Sequence, residues 1–264
     1  MTYCALVLAG SRGPECDVAA LGGVSHKALL PVHGQPMIER VVATLNAVKE
    51  IDKVLVIIET PEILRDLPSL KPLFASGYLQ TLEAKPSPAQ SALHGFEAAG
   101  AGYDGPVLMT TADNCLLTPA ILKYFIGSLT DGADVTAAVA KTDMVMQAYP
   151  QARRTRMRFR DGGLGGCNLF AFQSTEARRI ISFWREIEQN RKSPLTMLRQ
   201  LGVTTALRYL TNTLSLAQAL QKLGKRTGTR LATTDMPFAE AAIDVDTPDD
   251  FYLAEKILER RESI

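Results

Sequence analysis

A glycine-punctuated stretch near the amino terminus carries residue types that can hold a polyphosphate. An apolar run from Cys4 to Ala9 stops at Gly10, and two basic residues, Arg12 and Lys27, follow in the next loop. A strand that ends in such a loop can turn several backbone N–H groups towards one point, which suits phosphate oxygens. The two side chains would supply the opposite charge. The stretch therefore predicts a phosphate site at a strand end.

Carboxylates follow two other apolar runs. Asp113 comes after Val107–Thr111, and Asp244 and Asp246 end a predicted short strand directly before a helix start at Thr247. Open α/β sheets bind ligands at the carboxyl ends of their strands, where Asp113 would lie. An Asx turn is the structural alternative for this residue. A helix start favours carboxylates in its first turn, but Asp244 and Asp246 precede the cap and need another explanation.

A basic segment and a glycine-rich turn lie further along the chain. Four arginines at alternate positions would share one face of an extended segment: Arg154, Arg156, Arg158 and Arg160. The turn that follows leads to Gly166 and Asn168. One interpretation is a solvated edge strand whose charges discourage aggregation. The other is a second phosphate site, because glycines let the backbone approach an anion closely.

These segments resemble the signature of the nucleotidyltransferase superfamily with a glycosyltransferase-A-like fold. That superfamily includes the molybdenum-cofactor guanylyltransferases and the sugar- and alcohol-phosphate nucleotidyltransferases. Its amino-terminal blocks correspond to Leu8-Ala9-Gly10-Ser11-Arg12-Gly13, Lys27-Ala28-Leu29-Leu30-Pro31 and Gly34-Gln35-Pro36-Met37. Its carboxylate blocks correspond to Thr111-Ala112-Asp113-Asn114-Cys115-Leu116-Leu117-Thr118-Pro119 and Asp244-Val245-Asp246-Thr247-Pro248. The spacer from Pro14 to Ser25 is longer than that of the family.

The resemblance implies a role for each candidate residue. The catalytic residues would be Arg12, Lys27 and Asp113. The NTP would contact the amino-terminal loop and, through its base, the start of a helix: Leu8, Ala9, Gly10, Ser11, Gly13, Ser87, Ala89 and Ser91. For Ser87 a helix cap is an equal alternative. Mg²⁺ would be held by Asp113, Asp244 and Asp246. The resemblance places Gly166 and Asn168 in the acceptor pocket, next to the arginines Arg154, Arg156 and Arg158.

Length, composition and charge bound the remaining expectations. The 264 residues, 46% of them hydrophobic and 22% charged, suit one α/β domain with a sizeable core. A formal net charge of +1 gives no reason to expect nucleic acid as a partner. Four cysteines without paired spacing predict free thiols in a cytoplasmic protein. The amino-terminal apolar run is too short to span a membrane, and no membrane span is expected elsewhere.

The elements that must position the candidate residues form an α/β pattern. Continuous apolar runs such as Val54–Ile58 predict parallel strands covered on both faces, and amphipathic segments between them predict helices. Together with the resemblance, this indicates a Rossmann-like, mixed but mainly parallel sheet flanked by helices, of the glycosyltransferase-A-like type. One domain is expected over residues 1–264. A helical insertion is expected over 191–232, either as a cap near the acceptor side or as a surface for a homodimer. Trp184 lies on the apolar stripe of its helix and is expected in the core.

The leading hypothesis is a Mg²⁺-dependent nucleotidyltransferase that transfers NMP from an NTP to a phosphorylated sugar or small alcohol and releases pyrophosphate. This chemistry needs alignment and charge neutralisation more than a side-chain base. One alternative is a glycosyltransferase that uses an NDP-sugar, although Asp113-Asn114-Cys115 lacks the second carboxylate of its usual Asp-x-Asp. Another is a non-catalytic nucleotide-binding protein, if the long spacer displaces Arg12. The leading hypothesis requires Lys27, Asp113 and Asp244 to meet at one rim of the sheet.

Overall fold

The computed structural model describes residues 1–11, 16–100, 105–152, 157–190 and 202–263. The strands are β1 (Tyr3–Leu8), β2 (Pro31–Val32), β3 (Gln35–Pro36), β4 (Ile51–Ile58), β5 (Leu79–Glu83), β6 (Val107–Thr111), β7 (Val135–Lys141), β8 (Met157–Phe159), β9 (Gly162–Phe172) and β10 (Leu231–Asp235). The first α-helices are α1 (Asp17–Leu21), α2 (Met37–Asn46), α3 (Glu62–Arg65), α4 (Lys71–Ala75), α5 (Pro88–Gly100) and α6 (Pro119–Gly127). The later ones are α7 (Thr142–Ala148), α8 (Ala177–Asn190), α9 (Val203–Leu210), α10 (Leu216–Thr227) and α11 (Pro248–Glu262). Short 3-10 helices cover Lys27–Leu29 and Ala239–Ala242.

A mixed sheet runs through the described residues in the order β10-β7-β9-β6-β1-β4-β5, and β8 pairs with β9 at its side. β1 pairs in parallel with β4 and β6, β4 with β5, and β7 with β10. β9 runs antiparallel between β6 and β7. The predicted α/β architecture with a mainly parallel sheet is therefore confirmed. We call the edge at which the parallel strands end the carboxyl rim; Gly10, Glu59 and Asp113 lie there, just beyond β1, β4 and β6.

The apolar runs fold as strands covered on both faces. Alternate residues of β1 enter different hydrophobic clusters, with Ala5 and Val7 in one and Cys4 and Leu6 in the other. Helices α2, α6 and α11 contribute buried residues to the first cluster, and α5 and α8 contribute to the second. At Gly95 of α5 a Cβ would come within 2.2 Å of the Ile57 side chain, so a larger residue there would force Ile57 to move in the packed core.

Two parts of the second half of the chain depart from the sequence-based expectation. The sequence predicts a short strand that ends in Asp244 and Asp246, but Ala239–Ala242 form a 3-10 helix and the following segment pairs with no strand. Ile243 and Val245 are 1% and 0% exposed. The alternation of apolar and polar residues here therefore reflects burial of every second side chain, and not pairing in a sheet. Strand β10, which the sequence analysis does not predict, pairs with β7 after the helices α9 and α10.

Other expectations agree with the structure. Trp184 packs against the second hydrophobic cluster, as its position on the apolar stripe of α8 predicts. The four cysteines are free. Within the described residues, no helix has the length and the apolar character needed to cross a bilayer. Residues 191–201, the first part of the predicted helical insertion, lie outside the described residues.

A buried carboxylate joins β7 to β10 at the edge opposite the carboxyl rim. Asp134 precedes β7 and is 3% exposed. Its oxygens accept hydrogen bonds from the backbone N–H of Arg230 (2.7 Å), from Arg230 Nη2 (3.0 Å) and from Ser174 Oγ (2.7 Å). The Arg230 side chain is the main cause that lowers the pKa of Asp134 from 3.8 to about 2, and it outweighs the opposing effect of burial.

The stability of the protein should depend on this carboxylate in a pH-dependent way. Because the pKa of folded Asp134 is depressed, its contribution is present above pH 3.8 and is lost as the pH falls towards about 2. Asp134→Asn should lower the melting temperature at pH 7 by roughly 5 °C, from the loss of charge-assisted hydrogen bonds. The gap between variant and wild type should narrow below pH 4. Melting curves from pH 7 to pH 3 measure this, and a gap that stays constant would contradict the ion-pair interpretation.

Candidate active site

Asp113 lies on the carboxyl rim in the turn that follows β6. The backbone N–H of Ala112 donates to Leu8 O over 2.9 Å, which ties this turn to the end of β1. The Thr111 hydroxyl donates to Asp113 Oδ1 over 2.5 Å. The Asp113 side chain is only 18% exposed, so its orientation is fixed by the strand end and by hydrogen bonds. The second Asp113 oxygen is directed to another group at the rim, Lys27.

Lys27 bridges two carboxylates from distant parts of the sequence. Its Nζ donates to Asp113 Oδ2 over 2.6 Å and to Asp246 Oδ1 over 2.7 Å. The Lys27 side chain is 14% exposed. Burial by itself would lower the pKa of Lys27, but Asp113 and Asp246 outweigh burial and the pKa is raised. Lys27 therefore stays protonated, and its positive charge lies where the two carboxylates meet.

The segment from Asp244 to Asp246 is fixed against Asp113 although it forms no strand. The backbone N–H of Val245 donates to Asp113 O over 3.1 Å. Thr247 then caps helix α11 in a capping box with Asp250, as the sequence predicts. The cap uses Asp250, which also accepts from the backbone N–H of Asp246. The carboxylate of Asp246 itself accepts from Lys27.

Asn168 brings β9 to the same place. The register between β7 and β9 shifts between Ala137 and Val139, and Asn168 lies in the resulting bulge with a positive φ of 46°. Bulges redirect side chains, and asparagine tolerates this left-handed conformation better than most residues. Asn168 Nδ2 donates to Asp244 Oδ2 over 2.5 Å. The predicted acceptor residue and the predicted metal ligand are therefore in direct contact.

The amino-terminal loop lies beside this cluster. Leu8, Ala9 and Gly10 line a small cavity together with Lys27 and Asp113. The hydroxyl of Ser11 is buried and has no hydrogen-bond partner among the described residues. An unpartnered hydroxyl in this loop has a hydrogen bond left to donate. Two predicted loop residues, Arg12 and Gly13, lie outside the described residues.

The predicted base-side residues have structural partners of their own. The Ser87 hydroxyl accepts from the backbone N–H of Gln90, as a helix cap would. Ala89 is 0% exposed. Ser91 is 6% exposed, and its hydroxyl both accepts from and donates to the backbone of Lys85. The structural alternative for Ser87 is thus present, and a contact of these residues with a nucleotide base stays a prediction.

The arginine-rich segment is described only in part. Arg154 and Arg156 lie outside the described residues. Arg158 is exposed on β8, whose partner is the Gly162–Leu164 end of β9. That end of β9 also pairs with the last residue of β7, so the β8–β9 hairpin lies on the side of the carboxyl rim. Gly166 is exposed in β9 opposite Val139. Their contact with an acceptor stays a prediction.

The sequence analysis missed two polar residues that organise the site, Asn114 and Glu59. Asn114 is 1% exposed, and its amide donates to Thr110 Oγ1 and to Cys167 O, both over 3.2 Å, which fixes the β9 bulge next to Asn168. Glu59 accepts from the backbone N–H of Ser11 and pairs with His26. For Glu59 a signal existed, because it is the first polar residue after the apolar run of β4, as Asp113 is near the end of β6.

A family profile and several solved structures match this chain. The profile of the MobA-like NTP transferase domain matches residues 5–177. A search of the curated proteins gave no significant match. Among solved structures, a hypothetical transferase from Thermus thermophilus is 27% identical, with a TM-score of 0.78 over 95% of this chain and 100% of that chain.

Two more distant structures share the fold. A 4-diphosphocytidyl-2C-methyl-D-erythritol synthase from Anaerococcus prevotii has a TM-score of 0.59 at 13% identity, covering 98% of this chain and 96% of that chain. A CMP:2-keto-3-deoxy-manno-octonic acid synthetase complexed with CTP has a TM-score of 0.56 at 15% identity, covering 99% and 100%. The match of the domain profile over residues 5–177 identifies this chain as a nucleotidyltransferase of the MobA-like NTP transferase domain family.

Proposed function

We propose that this enzyme transfers NMP from an NTP to a phosphorylated sugar or small alcohol, with Mg²⁺ as cofactor, and releases pyrophosphate. The observation that supports this most is the position of Lys27 Nζ, 2.6 Å from Asp113 and 2.7 Å from Asp246, beside the Gly10 loop. The two reactants, a polyphosphate and a phosphate, are anions that repel each other. A lysine that offsets their charge, and carboxylates that can hold a metal ion, lie together at one rim of the sheet and would allow both to bind.

In the nucleotide half of the site, Lys27 and the loop would bind the triphosphate. Lys27 is a compact charge on a flexible stem, so its ammonium can turn from the carboxylates to a phosphate oxygen without a backbone movement. The Ser11 hydroxyl can donate a further hydrogen bond. Together these groups would orient the α-phosphorus and compensate charge on the leaving pyrophosphate. We include Arg12 and Gly13 in this proposal from the family signature.

The carboxylates at the rim fit a Mg²⁺ ion. Within the part of the chain that the structure describes, no three His, Cys, Asp or Glu side chains form a metal site by themselves. Mg²⁺ does not need one, because it commonly takes one or two carboxylates and completes its shell with substrate phosphates and water. Asp113 and Asp244 would hold it, with Asp246 beside them. When bound, the ion supplies positive charge that neutralises the phosphates and aligns them for in-line attack.

In the acceptor half, Asn168 and the backbone at Gly166 would position the second substrate. A phosphorylated acceptor fits because the β8–β9 hairpin that borders this half carries Arg158, and because its phosphate is already ionised near pH 7. No side-chain base is then needed to create the nucleophile. In the proposed reaction a phosphate oxygen of the acceptor attacks the α-phosphorus, a new P–O bond forms, and the bond to the β-phosphate breaks.

The cysteines near the site are unsuited to covalent catalysis. Burial raises the pKa of Cys115 and of Cys167 to about 12. Both side chains are 3% exposed, and neutral buried thiols are poor nucleophiles. Direct transfer between the two bound substrates therefore accounts better for the site than a covalent enzyme intermediate.

We also propose that α9 and α10 belong to a helical insertion within one domain. They lie between β9 and β10, and these strands both pair with β7 of the same sheet. Helix α9 exposes Leu207 and Leu210, 60% and 77% accessible. Exposed apolar residues of this kind are compatible with a homodimer surface.

A substrate screen tests the proposed reaction. The enzyme is incubated with ATP, CTP, GTP or UTP, Mg²⁺ and a panel of phosphorylated sugars and alcohols, and pyrophosphate release is measured. We expect release with one NTP that depends on both the acceptor and Mg²⁺. Consumption of an NDP-sugar without pyrophosphate release would indicate glycosyl transfer instead. Binding of NTPs without any turnover in the full panel would indicate the non-catalytic alternative.

A further inference from the structure

Glu59 connects two parts of the rim that are far apart in sequence. Its Oε1 accepts from the backbone N–H of Ser11 over 2.9 Å, and its Oε2 lies 3.0 Å from His26 Nε2. A Cβ at Gly10 would come within 3.3 Å of Glu59 Oε1, so glycine leaves room for the carboxylate at the loop. The Glu59 side chain is 43% exposed, while that of His26 is 8% exposed. One carboxylate thus contacts both the loop and the buried histidine.

The second hydrogen bond of His26 determines which partner donates in its contact with Glu59. His26 Nδ1 accepts from the backbone N–H of Ala28 over 3.1 Å and caps the 3-10 helix Lys27–Leu29. A ring nitrogen that accepts carries no proton, so the proton of the neutral ring is on Nε2 and is donated to Glu59. The residue between His26 and Ala28 is Lys27. The turn that carries the bridging lysine is therefore anchored to Glu59.

We propose that Glu59 is a positioning residue for nucleotide binding, which sets the Ser11 loop and the Lys27 turn at the spacing that a triphosphate needs. The inference rests on the proposed NTP site and adds to it a residue that contacts neither Asp113 nor Asp246. Glu59 directly follows β4, and its carboxylate contacts both Ser11 in the loop and His26 beside the lysine turn. Glu59 acts through these two contacts.

The direction in which anion affinity changes on loss of the Glu59 charge distinguishes a positioning role from simple electrostatic repulsion. A carboxylate near a polyphosphate repels it, so loss of the Glu59 charge alone would strengthen binding of an anion. Positioning predicts the opposite. In Glu59→Gln, the amide has one acceptor oxygen and faces two donors, Ser11 N–H and His26 Nε2–H, so at least one of the two contacts is lost. We therefore expect weaker binding in a variant that has become less negative.

The test uses calorimetric titration of the full-length protein with tripolyphosphate and with each NTP, in the presence of Mg²⁺. Glu59→Gln should weaken binding of tripolyphosphate and of the preferred NTP by the same factor, about tenfold. An equal loss of affinity for both ligands would mean that Glu59 affects binding of the phosphates, because tripolyphosphate has no base. The control is Glu62→Gln, which removes the same charge from an exposed residue at the start of α3 and should leave both affinities unchanged.

Two histidine variants keep the proposal testable if Glu59→Gln folds poorly. The amide of His26→Gln can replace Nε2 and donate to Glu59, whereas that of His26→Asn replaces Nδ1 and keeps only the helix cap. His26→Gln should therefore retain most of the tripolyphosphate affinity that His26→Asn loses. Where Glu59→Gln does fold, adding His26→Asn to it should cause little further loss, because the contact between the two residues is already broken.

The outcomes are distinguishable. If Glu59→Gln binds tripolyphosphate as tightly as the wild type or more tightly, or if it weakens only the NTP, the positioning role is refuted while the NTP site stands. A loss in His26→Gln as large as that in His26→Asn would also refute it, since affinity would then not depend on the contact with Glu59 that only the glutamine retains. If the wild type binds neither tripolyphosphate nor any NTP, the proposed nucleotide site itself is wrong.

Discussion

Replacing Asp113 with asparagine should reduce the rate of nucleotidyl transfer by roughly a thousandfold. Asparagine keeps the size of the side chain and removes the charge that would hold the metal ion. Asp113 is 18% exposed and accepts from both Thr111 and Lys27, so no neighbouring carboxylate can take its exact orientation. The measurement is pyrophosphate release with the preferred NTP and acceptor at saturating Mg²⁺.

The matched control is Asp249→Asn, in the first turn of α11. It removes one carboxylate from an exposed position close to the site in sequence and should change the rate by less than about twofold. Both variants should melt as cooperatively as the wild type. A fully active Asp113→Asn enzyme would remove Asp113 from the catalytic machinery, and an equally inactive Asp249→Asn enzyme would show that the loss reflects net charge near the rim.

Replacing Lys27 with methionine should lower kcat/KM for the NTP by roughly a hundredfold. Methionine fills a similar volume but cannot donate to Asp113, Asp246 or a phosphate. Lys27→Arg should not restore activity, because a planar guanidinium cannot occupy a position that is 14% exposed and suited to a compact ammonium. Initial rates at varied NTP concentration measure both variants. Lys123→Met, at an exposed position of α6, is the control and should behave as the wild type.

The same variant gives a second, oppositely signed result. Lys27 holds Asp113 and Asp246 by hydrogen bonds of 2.6 and 2.7 Å, and its positive charge opposes any other cation there. Lys27→Met should therefore bind Mn²⁺ about tenfold more tightly than the wild type when no nucleotide is added. Electron paramagnetic resonance of free Mn²⁺ measures this. Unchanged Mn²⁺ affinity together with full activity would show that Lys27 is only a structural ion-pair partner.

Much of this arrangement could be predicted because it is encoded locally. The apolar run of β1 ends at the glycine loop, Asp113 follows the interior strand β6, and the capping box of Thr247 and Asp250 begins α11 as its residue types predict. Each of these features depends on neighbours within a few residues. Strand ends then meet at one rim because parallel pairing places them there.

The remaining features depend on contacts between distant segments, which composition and periodicity do not encode. The path of Asp244 and Asp246 to the rim rests on the bond between Val245 and Asp113 instead of strand pairing. The bulge that aims Asn168 at Asp244 arises from the register of β9 against β7. The contact of Glu59 with His26 joins two loops whose distance no local pattern predicts.

The central claim is that the Gly10 loop, Lys27 and the carboxylates Asp113 and Asp244 form one site for an NTP and its metal ion. Anomalous diffraction from crystals grown with Mn²⁺ and a non-hydrolysable analogue of the preferred NTP tests it most directly. The account predicts a single strong peak in contact with Asp113 and Asp244, with Lys27 turned to the triphosphate beside the loop. A peak away from both carboxylates, or a triphosphate bound at another edge of the sheet, would contradict it.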